Sequence, residues 1–349
     1  EKYKALPFVE DVVLVGRKER DLSKSSNKHK NEPSSSNYNI KKSATEYGSA
    51  WDNIVLNNGQ VLHQKGFKGQ GIDIAVIDAG FNSLTTNPTL KNMNLKGVKS
   101  FIYNKTNPYL LGEHGIWVSS CMATNKPGYY VGTAPESNYW FLSTEDEDEE
   151  LPLEQDYWAT AIEYADSVGV DIVNTSLYYV NYDYPFEDPK YEEMDGKTAY
   201  ATRSANMAAD KGIFIVCCSG NHGSWVGTPS DSPYVLTVGS VFSGGRIGHF
   251  TAFGMTVDGR IKPDIVSLGS GAEVISINGE IDIRSGSSYA SPIVCGLAAC
   301  LWGAYPSLTN NQLREIIVKS SDRYQNPELP YGYGIPDMQK AMELAKTYK

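Results

Sequence analysis

Histidine is scarce in this sequence. Among 349 residues only His29, His63, His114, His222 and His249 occur. Cysteine is as rare: Cys121, Cys217, Cys218, Cys295 and Cys300 make five, an odd number, and none forms a Cys-x-x-Cys pair. That spacing excludes a thiol-rich metal centre, and each cysteine lies in an apolar segment, where it reads as a small buried hydrophobe. Positive charge is in deficit, with a formal net charge of −10. Nucleic-acid phosphates reward basic surfaces, so a nucleic-acid partner is excluded. No apolar run approaches the roughly 20 residues of a membrane helix. The longest, "GIFIVCC" at 212–218, has the length of a buried strand. No internal repeat, nucleotide-binding loop or Gly-x-Ser-x-Gly motif occurs.

What is present supports a folded core, since 41% of residues are hydrophobic. Residues 1–17 hold "ALPFVEDVVLVG", which reads as one short strand. Residues 18–45 are polar, rich in Lys and Ser, and read as a linker exposed to cleavage. Residues 46–349 are globular in composition. There apolar runs at 71–80, 137–144, 170–179, 213–221 and 234–241 read as strands. Helical patterns at 113–125, 154–169, 199–212 and 310–321, and after Ser288, read as helices. Alternating strands and helices imply an α/β fold, a central mostly parallel sheet with helices on both faces. Such sheets gather their chemistry at the carboxyl ends of the strands.

Four residues stand at such ends or at helix starts. Asp78 ends a strand, His114 opens a helix, Asn221 follows a strand, and Ser288 opens the late apolar helix. Acyl transfer needs a nucleophile, a base, a carboxylate to orient the base, and donors for the oxyanion. No histidine follows Ser288, so the order Ser, acid, His cannot serve it. The order Asp78, His114, Ser288 can. The neighbouring Ser285, Ser287 and Ser291 read as caps or local hydrogen-bonders, and Pro292 is expected in the helix's first turn. His63, His222 and His249 read as structural.

These residues sit in recognisable motifs. "AVIDAGF" (75–81), "HGIWVSS" (114–120), "SGN" (219–221) and "GSSYASP" (286–292) resemble, in order, the aspartate, histidine, oxyanion-asparagine and nucleophile segments of the subtilisin-like serine proteases, or subtilases. "GRIKPDIVSLG" and "LPYGYGIPDMQKAM" are similar to further family segments, so the resemblance covers about 44–349. Within the family, "STEDEDEE" and "EQDYWATAIEYADSVGVDIVNTSL" are most similar to Bacteroidetes-type bacterial members. The resemblance implies a three-layer fold and a secreted, monomeric serine endopeptidase acting on polypeptides. It implies Asp78, His114 and Ser288 as triad, with Asn221 and the Ser288 N–H as oxyanion donors. Ser176, Leu177, Tyr178, Ser219 and Gly220 would bind substrate. It implies no catalytic cofactor, a structural Ca²⁺ in many members, and a cis bond before Pro229. Residues 1–17 are similar to the last strand of the family's propeptide, an intramolecular inhibitor, which places a maturation cut in 18–45.

The chain departs from the family pattern at Tyr178, where glycine is usual, so a phenol ring stands at the substrate strand. Two other readings stay open at this point: a pseudo-protease or binding module, its cleft occluded by Tyr178 or masked by the N-terminal segment, and an acyl hydrolase with ester or chain-end-trimming specificity. The acidic run 144–154 reads as a solvated loop, with calcium ligation or attraction of basic substrate residues as functional alternatives.

Overall fold

The runs read as strands do pair, each to its neighbour and always parallel. In the computed structural model, which describes Val9, Val12 and residues 46–348, the five runs of the globular part join two further strands in one seven-stranded sheet. They are β1 (Asp73–Asp78), β2 (Asn94–Ser100), β3 (Asn138–Ser143), β4 (Ile172–Thr175), β5 (Phe214–Cys218), β6 (Leu236–Val241) and β7 (Ile265–Leu268). Their order is β7-β6-β5-β4-β1-β3-β2, and every pairing is parallel. After β1 the chain crosses to one side, lays β2 at the edge and β3 between β2 and β1, then returns to lay β4 on β1's other side. That reversal at β1 and β4 is where an open parallel sheet leaves a crevice beyond its carboxyl ends.

Side chains alternate across the pleat and supply two cores. Ile74 and Val76 of β1 join one cluster, Ala75 and Ile77 the other. The first face is covered by α1 (His114–Ala123) and by a later helix at Ser287–Ala304; the second by α2 (Leu153–Ser167) and α3 (Tyr200–Asp210). The Ser287–Ala304 helix, α4, is apolar all round and buried from Ser287 through Leu301. A helix with no polar face belongs inside, and this one packs against α1 and strands β4 to β7. Two surface helices close the domain, α5 (Asn310–Ser320) and α6 (Met338–Ala345).

All five cysteines are free and buried, as small hydrophobes would be. Thr228–Pro229 is cis, as expected; Lys262–Pro263 and Leu329–Pro330 are cis too and carried no signal in the sequence. Strand β2 was also missed. It is the edge strand, half of it exposed, so lysines and a glycine interrupt any apolar run. The strand expected over 170–179 ends at Thr175, because the chain leaves the sheet there toward the cleft. Among the described residues no helix is long and apolar enough to cross a membrane. The strand expected in 1–17 and the linker in 18–45 lie outside the described residues, apart from two valines.

Candidate active site

Asp78 is the last residue of β1 and has no exposed surface. Its Oδ1 accepts the Ala79 N–H at 2.8 Å and stands 2.7 Å from His114 Nδ1. A carboxylate can only accept, so Nδ1 carries the proton and Nε2 of the neutral ring keeps the lone pair. His114 is the first residue of α1 and is buried. Gly115 makes the approach feasible: a Cβ there would stand 2.4 Å from the Gly80 carbonyl oxygen. Only glycine lets the first turn of α1 lie against the turn that follows Asp78.

Ser288 is the second residue of α4, where helical N–H groups lack partners and the helix dipole favours negative charge. Tyr289 brings this end of α4 beside His114, with ring centroids 6.2 Å apart. Pro292 proves to be the sixth helical residue, in the second turn rather than the first. It therefore removes an N–H that would have bonded the Ser288 carbonyl. Ser176, just past β4, supplies the replacement: its Oγ donates to Ser288 O at 2.8 Å. Asn174 Nδ2 reaches Ser176 Oγ (3.3 Å), and Ser291 Oγ donates to Asn174 Oδ1 (2.8 Å). This buried relay ties the carboxyl end of β4 to the start of α4. Asn174 was missed in the sequence; a lone asparagine inside the apolar "DIVNTS" was the available signal.

The relay makes a prediction. Ser176→Ala leaves a buried carbonyl without its partner and should cost about 1–3 kcal/mol of stability in urea unfolding. Adding Pro292→Ala restores the helical N–H, so the double variant should lose less than the single one. Equal or greater loss in the double variant would show that the bond does not stand in for the helix.

Asn221 is oriented by Ser287, the residue before Ser288. Its Oδ1 accepts the Ser287 N–H at 2.8 Å and lies 2.9 Å from Ser287 Oγ. An N–H must meet an oxygen, so the amide NH₂ of Asn221 faces the other way. Ser287 Oγ also accepts the Gly220 N–H at 3.1 Å. Gly220 has φ +106°, a conformation that strains any L side chain, and a Cβ there would crowd His222. Ser219 is buried and its N–H donates to Val238 O at 3.0 Å, which continues the β5–β6 pairing up to the turn. Ser287 and Ser291 thus bond partners distant in sequence rather than capping α4, and Ser285 accepts the Gly271 N–H.

Leu177 is buried. Tyr178 is half-buried and stacks on His222, centroids 5.4 Å apart and planes 23° apart. Trp225 meets that imidazole edge-on, and its carbonyl lies 2.9 Å from His222 Nε2. Burial lowers the His222 pKa, with the Trp225 carbonyl opposing. His63 is buried against Thr133 O (2.9 Å), a structural role.

The acidic run is not simply a solvated loop. Glu145 and Glu154 are buried. Glu154 accepts the Asp146 N–H (2.8 Å) and the Leu151 N–H (3.4 Å), and Glu145 accepts the Tyr179 hydroxyl (2.7 Å). The carboxylates satisfy backbone groups that the loop would otherwise strand. With Glu150 they form the one group among the described residues whose oxygens, all within 4.8 Å, could hold a metal ion. Calcium wants six to eight oxygens. These residues offer three, two of them already engaged by internal donors, and no step is routed through a metal.

The family model described as "Subtilase family" matches residues 69–335. A subtilisin of Bacillus pumilus is 29% identical over 290 residues, covering 81% of this chain and 94% of the relative. The serine protease AprX of Bacillus subtilis (strain 168) is 28% identical over 329 residues, 83% of this chain and 68% of the relative. Among solved structures, the prenylagaramide maturation protease PagA superposes with TM-score 0.67 at 21% identity, over 83% of this chain and 99% of that one. The MycP3 protease of the type VII (ESX-3) secretion system gives 0.69 at 21% identity, over 86% and 89%.

Proposed function

Because the chain belongs to the subtilase family and is on that ground a serine endopeptidase, we propose that Asp78, His114 and Ser288 are its catalytic triad. Ser288 Oγ attacks the peptide carbonyl. His114 Nε2 takes the hydroxyl proton and passes it to the leaving amine. Asp78 holds the imidazole tautomer and stabilises the ring once charged. The Asn221 NH₂ and the Ser288 N–H hold the oxyanion, and water then repeats the sequence on the acyl-enzyme. The single observation that carries this reading is the buried Asp78–His114 contact at 2.7 Å. An imidazole held in one tautomer by a carboxylate, beside a helix start that carries a serine, is built for proton transfer.

Residues 46–349 are then the catalytic domain. Secretion, a monomeric enzyme, and residues 1–17 as the end of an inhibitory propeptide complete the proposal, with family membership as support. Mass spectrometry of a digested unstructured protein tests the activity. Internal fragments are expected; release of terminal residues alone would favour a trimming enzyme.

Ser176, Leu177, Tyr178, Ser219 and Gly220 form the substrate-facing edge. The Tyr178 ring, braced by His222, takes space that glycine would leave open. Tyr178→Gly should therefore broaden the side chains accepted on the acyl side of the cut, read from a peptide library. An unchanged profile would remove Tyr178 from specificity.

A further inference from the structure

Arg284 stands between the two elements that carry the proposed nucleophile and base. It lies four residues before Ser288, in the strand Ile281–Ser285 that leads into α4. Its guanidinium lies over the Trp117 ring, 3.9 Å from the centroid. Trp117 is one turn along α1 from His114, and the two rings meet edge to face with centroids 6.3 Å apart. Stacking thus holds the guanidinium against the helix that carries the base. Asp282 holds it a second time: its Oδ2 accepts from Arg284 Nε at 2.7 Å, while its Oδ1 accepts the Ile283 N–H at 2.8 Å.

That arrangement leaves most of the donors unused. Arg284 Nη1 and Nη2 have no acceptor among the described residues, Asp282 is its one ion-pair partner there, and the side chain stays 25% exposed. A guanidinium pre-set by an aromatic face and one carboxylate, with its outer fork open, matches a second carboxylate.

We propose that Arg284 anchors a carboxylate in the leaving segment of the substrate, so that the enzyme favours bonds followed within a few residues by Asp or Glu. The inference rests on the peptidase reading and adds the substrate class. The side of the cut follows from the proton transfer. His114 hands its proton to the leaving amine, so what flanks His114 on α1 flanks the segment that departs, while Ser176, Leu177 and Tyr178 face the acyl side. A hollow of about 320 Å³, lined by His114, Trp117 and Leu111, gives that segment room. Glu113 and Glu147 line it too and repel a carboxylate close to the cut. An acidic side chain is therefore favoured only where the segment passes Trp117 and reaches Arg284.

The test is a set of internally quenched peptides varied at each position after the cut, followed by a matched pair differing only as Glu or Gln at the most selective one. Asp and Glu should be enriched at a single position. The Glu/Gln ratio of kcat/KM there should be about three to five, the range of a partly exposed ion pair. It should fall toward one as NaCl rises from about 50 to 500 mM, because salt screens exposed charge. Arg284→Gln should bring the ratio to about one. Arg284→Lys, which keeps the charge without the planar fork, should keep part of it. Asp282→Asn removes the competing carboxylate and should raise it. Each ratio is taken within one enzyme, so general damage to the fold or the triad cancels. Peptides ending at the same position as free acid or as amide separate a side-chain carboxylate from a chain end, and a response in that pair alone would overturn the preference for Asp and Glu. A flat charge profile after the cut, or a ratio unmoved in Arg284→Gln, would overturn the anchor and leave the peptidase reading standing. Absence of any cleavage, with Ser288 unreactive in folded protein, would overturn both.

Discussion

Ser288→Ala is expected to lower kcat for peptide hydrolysis by about a million-fold while leaving the fold intact. The side chain lost is small and 2% exposed, so alanine fills the same space. The Ser176 bond goes to the main-chain oxygen of residue 288 and survives the change. What disappears is the atom proposed to form the acyl-enzyme. The remaining groups still orient substrate and meet the oxyanion, so hydrolysis should stay about 10³–10⁴ above that in water. His114→Ala should fall nearly as far, and the two changes should not add, because nucleophile and base act as a unit. Single-turnover kinetics with circular dichroism on the same samples checks this. A Ser288→Ala enzyme within ten-fold of the parent would contradict the assignment.

Asn221 gives the second large effect, and two substitutions separate its two jobs. Asn221→Ala removes the NH₂ donor and should lower kcat by about 10²–10³ with little change in KM, the signature of a bond made only in the transition state. It also strands the Ser287 N–H, which now bonds Asn221 Oδ1 at 2.8 Å. A stability loss of about 1–3 kcal/mol should accompany it. Asn221→Asp keeps an oxygen for Ser287, so stability should hold. It offers no donor and places a negative charge beside the oxyanion, so kcat should fall at least as far. Urea unfolding and steady-state kinetics on both variants decide the matter. If Asn221→Asp retains parental kcat, Asn221 is an anchor for the helix start and no more.

Much of this site was legible because its residues fall where apolar pattern changes to turn. Asp78 and Asn221 follow buried runs, and Ser288 precedes one. The absence of histidine beyond Ser288 fixed the order in which a triad could be assembled. Less legible were features that depend on partners distant in sequence. Pro292 looked like a first-turn proline because a helix start cannot be located to one residue from pattern alone. The Ser176–Ser288 bond that compensates it spans 112 positions. Edge strand β2 lacks the continuous apolar run of a strand buried on both faces. The carboxylates of 144–154 looked solvated because composition does not reveal that Glu145 and Glu154 turn inward to meet Tyr179 and loop N–H groups. Nor does it reveal that Tyr178 is braced by the residue after Asn221.

The central claim is that one serine, activated by His114 and Asp78, is the nucleophile. Intact-mass and peptide mapping after treatment with a fluorophosphonate tests it most directly, on the parent and on His114→Ala, each confirmed folded. A single phosphonyl group on Ser288 of the parent, with labelling of His114→Ala slowed by at least about a thousand-fold, is the expected result. Modification at another serine, or equal labelling of the two proteins, would contradict it.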